Sequence, residues 1–210
     1  AADLASNTRV LIAIVQMLGE AKAWKLLNDN ITVLNKKHGF LKVAVQKMIQ
    51  ECMKFIEVVD GKEKLDLINT IRLVTEGKIF VEVERARVTK LLSKIKENEN
   101  QITEACDILQ DLQVETYGSM DKREKTDFIL EQMRLTLAKL DYVRVMIISK
   151  KINSKYFQDV ANEDLKLRFN DLMIQHALYE DNYLSVCKYY SSTYDSPSIK
   201  ADDKKWKPVS

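Results

Sequence analysis

Proline is almost missing from this 210-residue sequence, which holds two, Pro197 and Pro208, alongside five glycines. Proline breaks helices and both residue types punctuate loops, so their scarcity predicts long, nearly continuous helix. Histidine also occurs twice, as His38 and His176, and cysteine three times, as Cys52, Cys106 and Cys187. No Cys or His pair among them has ligand spacing, so no metal site is expected. An odd, sparse set of cysteines fits reduced thiols in a cytosolic or nuclear protein. Each lies in an apolar helical pattern and is expected to be a buried structural thiol. Excess charge is lacking too: 33 basic residues meet 31 acidic ones, for a net charge of +2. That balance gives no electrostatic basis for a nucleic-acid partner or an anionic membrane.

Long apolar runs are absent as well. Val10 to Leu18 is mostly apolar and follows Arg9, but it is too short to cross a bilayer. Gln16 interrupts it, and Glu20 and Lys22 charge the place where a signal peptide would be cleaved. A buried first helix is the expected reading. The sequence opens on Ala1 rather than Met, so a longer natural sequence is expected. What the chain does have is 46% hydrophobic and 30% charged residues, too apolar for disorder and enough to bury a substantial core.

Helical periodicity runs almost throughout. Trp24, Leu27, Ile31 and Leu34 share one face, as do Leu41, Val45, Met48, Cys52, Phe55 and Val59. Ile102, Ala105, Leu109 and Leu112 form another stripe, and Tyr183, Val186, Tyr190 and Tyr194 a fourth. No long stretch alternates with period two, so no sheet is expected. Turn-forming residues recur at Gly19, Gly61, Asn100, Asp141 and Asp181, at spacings of 42, 39, 41 and 40. A second set at Gly39, Gly77 and Gly118, spaced by 38 and 41, interleaves with the first. Each repeat of about 40 residues then reads as helix, tight turn, second helix and looser connection.

The second helices also align by content. Ala105, Val145 and Val186 occupy equivalent positions, 40 and 41 residues apart, where small or β-branched residues let helices approach closely. The expected hairpins are roughly 3–38, 40–76, 79–117, 121–154 and 160–195. One hairpin cannot bury both faces of its helices, so stacking into an elongated rod or arc of about five is the physical solution. The near-continuous apolar run from Tyr142 to Ile148 fits a helix sandwiched between neighbouring repeats. The fold class is therefore all-α, with a helical-repeat solenoid over 1–195. Residues 196–210 read as a linker and the start of a further helix, with Trp206 a core residue whose partners lie elsewhere.

Chemistry is hard to find. The glycines are spread singly, and neither a Walker-type loop nor a dinucleotide fingerprint occurs. Gly77 reads as a helix C-cap. His38, in Lys36-Lys37-His38-Gly39, complements the negative end of a helix dipole. His176 lies at helical spacing from Leu172 and Met173, as a core or boundary histidine. A His176–Cys187 dyad would need an orienting group, an oxyanion site and a pocket, and none is visible. Asp202-Asp203 and Glu97-Glu99 read as solvated or capping carboxylates. Lys122-Arg123, Lys150-Lys151 and Lys204-Lys205-Lys207 each have acidic neighbours or sit near a helix end. Tyr189, Tyr190 and Tyr194 have helical spacing and read as packing rather than a base-stacking platform. No catalytic, cofactor-binding or metal-binding residue is therefore assigned, and no small-molecule substrate.

Four segments are more specific. They are Val74-Thr75-Glu76-Gly77-Lys78-Ile79-Phe80-Val81-Glu82, Val114-Glu115-Thr116-Tyr117-Gly118-Ser119-Met120, Phe128-Ile129-Leu130-Glu131-Gln132-Met133-Arg134-Leu135 and Ile147-Ile148-Ser149-Lys150-Lys151-Ile152-Asn153. In order, over about Ser6 to Trp206, the chain resembles the N-terminal helical-repeat region of a PCI family of proteasome regulatory-particle lid subunits. That family is the non-ATPase subunit twelve group, called the fifth regulatory-particle non-ATPase subunit in yeast nomenclature. The resemblance implies a right-handed TPR-like solenoid and a non-catalytic scaffold role in ubiquitin-dependent degradation, without cofactors, in cytoplasm and nucleus. It implies that the solenoid precedes a PCI module, absent here, through which lid subunits pack side by side. The implied partners are other lid subunits, the ATPase ring and the core particle. The equivalent signalosome arm, or a translation- or RNA-associated PCI adaptor, is the alternative.

Overall fold

The computed structural model describes residues 4–36 and 42–201. Among these residues every regular element is helical and no strand occurs. The fold is all-α and built from helical hairpins, as the turn spacing predicts. Two compact units divide it, a first reaching to Gln101 and a second beginning at Ile102.

The first unit holds α1 (Leu4–Glu20), α2 (Trp24–Lys36), α3 (Lys42–Ile56), α4 (Gly61–Thr75), a 3₁₀ turn (Ile79–Val81) and α5 (Glu82–Asn98). First helices stack on first helices, α1 against α3, and second on second, α2 against α4. Leu11 and Val15 of α1 are buried, as are Met48, Ile49 and Cys52 of α3. Leu27 and Ile31 of α2 and Leu67, Ile68 and Ile71 of α4 are also buried. Each set has the 3–4 residue spacing of one helix face.

The second unit holds α6 (Ile102–Gln110), α7 (Lys122–Ala138), α8 (Tyr142–Ser149), α9 (Glu163–Tyr179), α10 (Tyr183–Tyr194) and the short α11 (Pro197–Lys200). A 3₁₀ turn at Val114–Thr116 precedes α7, and two more, Ser154–Gln158 and Val160–Asn162, connect α8 to α9. Here α7 packs on α6, α8 and α9, and α9 on α10. Ala105, Val145 and Val186 are all buried, as their equivalent places require.

The turns are more regular than their composition. Of six described residues with left-handed backbone, five, Lys22, Gly61, Asn100, Leu140 and Asp181, recur at intervals of 39, 39, 40 and 41. Four of these five close their helix with the same paired hydrogen bonds. Asn100 N–H donates to Glu97 O and Gln101 N–H to Lys96 O, both at 2.9 Å. Lys22 with Ala23, Leu140 with Asp141, and Asp181 with Asn182 repeat the pattern. This is the Schellman arrangement, which satisfies carbonyls that a helix end otherwise leaves free. Asp141 and Asn182 then cap the next helix, their side chains accepting from the N–H groups of Arg144 and Ser185 at 3.1 Å.

Several expectations need correction. Gly19 does not make a turn: it lies inside α1, and the turn falls at Lys22. Its role is close approach, because a Cβ there would overlap the outer ring carbons of Phe55 on α3. Phe55 in turn packs against Trp24, with ring centroids 6.2 Å apart. Gly118 is not left-handed, whereas Gly77, after α4, is, with φ of 68°. The α8 run is buried on one face alone: Val145 and Ile148 are covered, while Val143 and Ile147 are 76% and 58% exposed. Leu41, Gly39, Trp206 and the 202–210 segment lie outside the described residues.

Gly19→Ala should test the α1–α3 approach. Alanine gains up to about 1 kcal/mol of helix propensity, but overpacking costs about 1–3 kcal/mol. The expected net result is destabilisation of about 1 kcal/mol in denaturant unfolding. Combined with Phe55→Leu, much of the steric loss should return as a favourable coupling. A stabilised Gly19→Ala chain with no coupling would show that Phe55 simply moves aside.

Candidate interaction site

The residues singled out for chemistry fall into structural roles. His176 is buried in α9, and its Nε2 lies 2.9 Å from Tyr142 O. Its Nδ1 is 3.5 Å from Glu180 Oε2 one turn on. Both ring nitrogens therefore face oxygen, and no hydrogen bond joins the ring to Cys187 among the described residues. Cys187 is exposed on α10, against the expectation of a buried thiol. Cys52 and Cys106 do meet it. Burial pushes the Cys52 thiol up to about 12, with Glu51 adding to the rise. Burial also raises Cys106, whose sulfur accepts from Gln110 Nε2 at 3.0 Å. Such thiols stay protonated and are poor nucleophiles. No group of three or more potential metal-ligating side chains gathers among the described residues. His38 lies outside them.

Charged residues are used to tie elements together. Arg123 of α7 pairs with Asp164 of α9, and Arg168 of α9 with Asp127 and Glu131 of α7. Lys139 pairs with Asp107, and Lys151 with Glu115 at 2.7 Å. The Arg123 guanidinium holds the Asp164 carboxyl below its usual value, and Asp107 raises Lys139. The lysines and arginines of 122–123 and 150–151 thus include staples of the fold. Lys204, Lys205 and Lys207, with Asp202 and Asp203, lie outside the described residues.

Sequence reasoning missed two buried polar sites. Glu84, 3% exposed in the first turn of α5, accepts from Gln50 Nε2 at 2.7 Å and Gln46 Nε2 at 3.2 Å on α3. Its other oxygen has no hydrogen-bond partner among the described residues. Gln132 of α7, 2% exposed, donates to Leu109 O at 2.8 Å and Leu112 O at 2.9 Å. Glu84 reads in sequence as an ordinary first-turn carboxylate favoured by the helix dipole. Gln132 reads as a surface amide, and nothing in the string marks its partners, because they are backbone carbonyls.

Several outward side chains of the second unit are apolar. Val143 and Ile147 of α8, Tyr183 and Leu184 of α10, Tyr179 of α9 and Leu140 in the turn are all more than half exposed. Tyr179 stacks on Tyr142 with centroids 3.4 Å apart and planes 4° from parallel. Single exposed apolar residues are ordinary, whereas groups of them mark contact surfaces.

Residues 1–202 match the model of the family described as PSMD12/CSN4, N-terminal. The chain belongs to this family. It is 48% identical over 212 residues to the 26S proteasome regulatory subunit RPN5 of Saccharomyces cerevisiae, covering 100% of the chain and 48% of that protein. It is 44% identical over 210 residues to the 26S proteasome regulatory subunit rpn501 of Schizosaccharomyces pombe, covering 100% of the chain and 47% of that protein. With the 26S proteasome non-ATPase regulatory subunit 12 of Dictyostelium discoideum it shares 42% identity over 203 residues, 96% of the chain and 45% of that protein. The chain thus spans about half the length of these PSMD12/CSN4-family relatives, and the resemblance carried by the four segments is borne out. No described helix is long and apolar enough to cross a membrane.

Proposed function

We propose that this chain is the helical-repeat arm of a 26S proteasome regulatory-particle lid subunit, a non-catalytic scaffold that works through protein contacts in ubiquitin-dependent degradation. The carrying observation is 48% identity along the whole chain to a protein named as a proteasome regulatory subunit. Two buried thiols, Cys52 and Cys106, a histidine held between a carbonyl and a carboxylate, and exposed apolar side chains support a scaffold over an enzyme. Residues 1–195 serve as the arm, and 196–210 lead toward a PCI module in the longer protein. Its partners are other lid subunits, the ATPase ring and the core particle, in cytoplasm and nucleus. The signalosome alternative is weaker, because the relatives above are all named as proteasome subunits.

The test is to tag the longer protein that carries this sequence and purify it from cells. Stoichiometric recovery with the other lid subunits and the core particle is expected. A Cys187→Ser, His176→Gln variant should be recovered equally well. Recovery with signalosome subunits in place of proteasome, or loss of an isolated-subunit activity in the folded variant, would overturn the reading.

A further inference from the structure

The turns after α7 and α9 set a register between the last two hairpins. Their left-handed residues, Leu140 and Asp181, are 41 apart, and so are the caps that follow, Asp141 and Asn182. On this register Tyr142 of α8 corresponds to Tyr183 of α10, Val143 to Leu184, Met146 to Cys187 and Ser149 to Tyr190.

The two helices differ in cover mainly along one face. Val143 and Leu184 are both strongly exposed, and Val145 and Val186 are both buried. Tyr142, Met146 and Ser149 share a face of α8 at 3–4 residue spacing. There Tyr142 and Met146 are half-buried and Ser149 is buried. Their counterparts on α10 are more open: Tyr183 is 64% exposed, Cys187 is exposed and Tyr190 is half-buried. Part of the cover on α8 is the last turn of α9, the first helix of the next repeat. The Tyr142 ring stacks on Tyr179, and its carbonyl meets His176. Among the described residues α10 is followed only by the four-residue α11. Its Tyr183, Cys187, Tyr190 and Tyr194 stripe has the spacing of a helix face built to meet another helix.

The repeat says where that helix is due. First helices open at Glu82, Lys122 and Glu163, 40 and 41 residues apart. One more repeat brings the next opening to about residue 203. Proline is tolerated in the first turn of a helix and not deeper, so Pro208 moves the opening to about residue 205 or later. The family model is an N-terminal one, and the relatives are about twice as long as this chain, so a longer protein has the length to supply the helix.

We propose that this face of α10 is the seat of the next first helix of the same chain, opening near Pro208 and continuing past Ser210 in the longer protein. Tyr183 receives its last turn as Tyr142 receives that of α9, and Cys187 is covered along its length. The exposed thiol thereby becomes a buried one. The proposal rests on the reading above only in taking the sequence as part of a longer protein, and it is independent of the assembly which that protein joins.

The test uses the longer protein, purified away from partners. p-Benzoylphenylalanine placed at Tyr183 and irradiated should cross-link within the chain, to a peptide about 35–40 residues further on. Lys150→Cys supplies an exposed reference thiol in the same unit. Cys187 should react with a maleimide at least about tenfold more slowly than that reference. The thiol measurement leaves α10 unaltered, so it stands even if the probe at Tyr183 disturbs the fold. Cross-links to a different part of the chain, or a Cys187 as reactive as the reference, would overturn the proposal. So would a Cys187 that slows only when partner subunits are present, which would make a partner the occupant.

Discussion

Phe128→Ala is expected to cost about 3–5 kcal/mol, the range for deleting a buried aromatic ring. Phe128 sits 1% exposed in the middle of α7, the helix against which α6, α8 and α9 all pack. Removing the ring leaves a cavity bounded by several helices, which a single side-chain rotation cannot refill. A domain is stable by only about 5–15 kcal/mol, so this one change removes much of the margin. Thermal unfolding should shift by many degrees, and amide exchange should rise across residues 122–179. A shift smaller than that of an exposed control such as Ile147→Ala would show that Phe128 is not the centre of this core.

Gln132→Leu is expected to cost about 2 kcal/mol despite adding apolar surface. The amide supplies the donors for Leu109 O and Leu112 O, just where α6 ends and its last carbonyls lack helical partners. A buried acceptor left empty costs about 1–3 kcal/mol. Loss of the Gln132 oxygen, itself unpartnered, offsets part of that. Gln132→Glu separates the donor role from shape. At neutral pH it places a carboxylate against two carbonyls, so burial and repulsion raise its folded pKa above the unfolded value of about 4.3. The folded variant then binds the extra proton first, and its stability rises as pH falls from the raised pKa toward the unfolded one. Denaturant midpoints at several pH values would show this. A pH-independent Gln132→Glu, or a Gln132→Leu as stable as the parent, would mean the two carbonyls are satisfied otherwise.

These two residues also mark what sequence can and cannot disclose. Phe128 entered the sequence reading only within a segment of family resemblance, whereas the periodic stripes fell on α2, α3, α6 and α10, since a helix announces its buried face at 3–4 residue spacing. The repeat length was legible in the spacing of turn-forming residues. Turn identity was less so. Gly19 looked like punctuation, but it is a contact residue whose significance lies in Phe55, 36 positions away. The turn expected at Asp141 has its left-handed residue one place earlier, at Leu140. The groove lined by Phe157, Asn170 and Lys188 was not legible, because these residues come from three elements and their shared surface exists only after folding. Cys187 went wrong through the same limit, since a helix pattern fixes a face and not what covers it.

The hairpin turn at Leu140 carries a consequence for the order of events in folding. Leucine pays for a φ of 65° with strain that asparagine or glycine would avoid. A turn that its own residue disfavours cannot start the hairpin. Nor can α8, whose eight residues are too few to hold a helix in water unaided. The 17-residue α7 is then expected to form first, with α8 condensing onto it. The reversal at Leu140 is then the last part of this hairpin to settle, fixed by the docking of its two helices and not the cause of it.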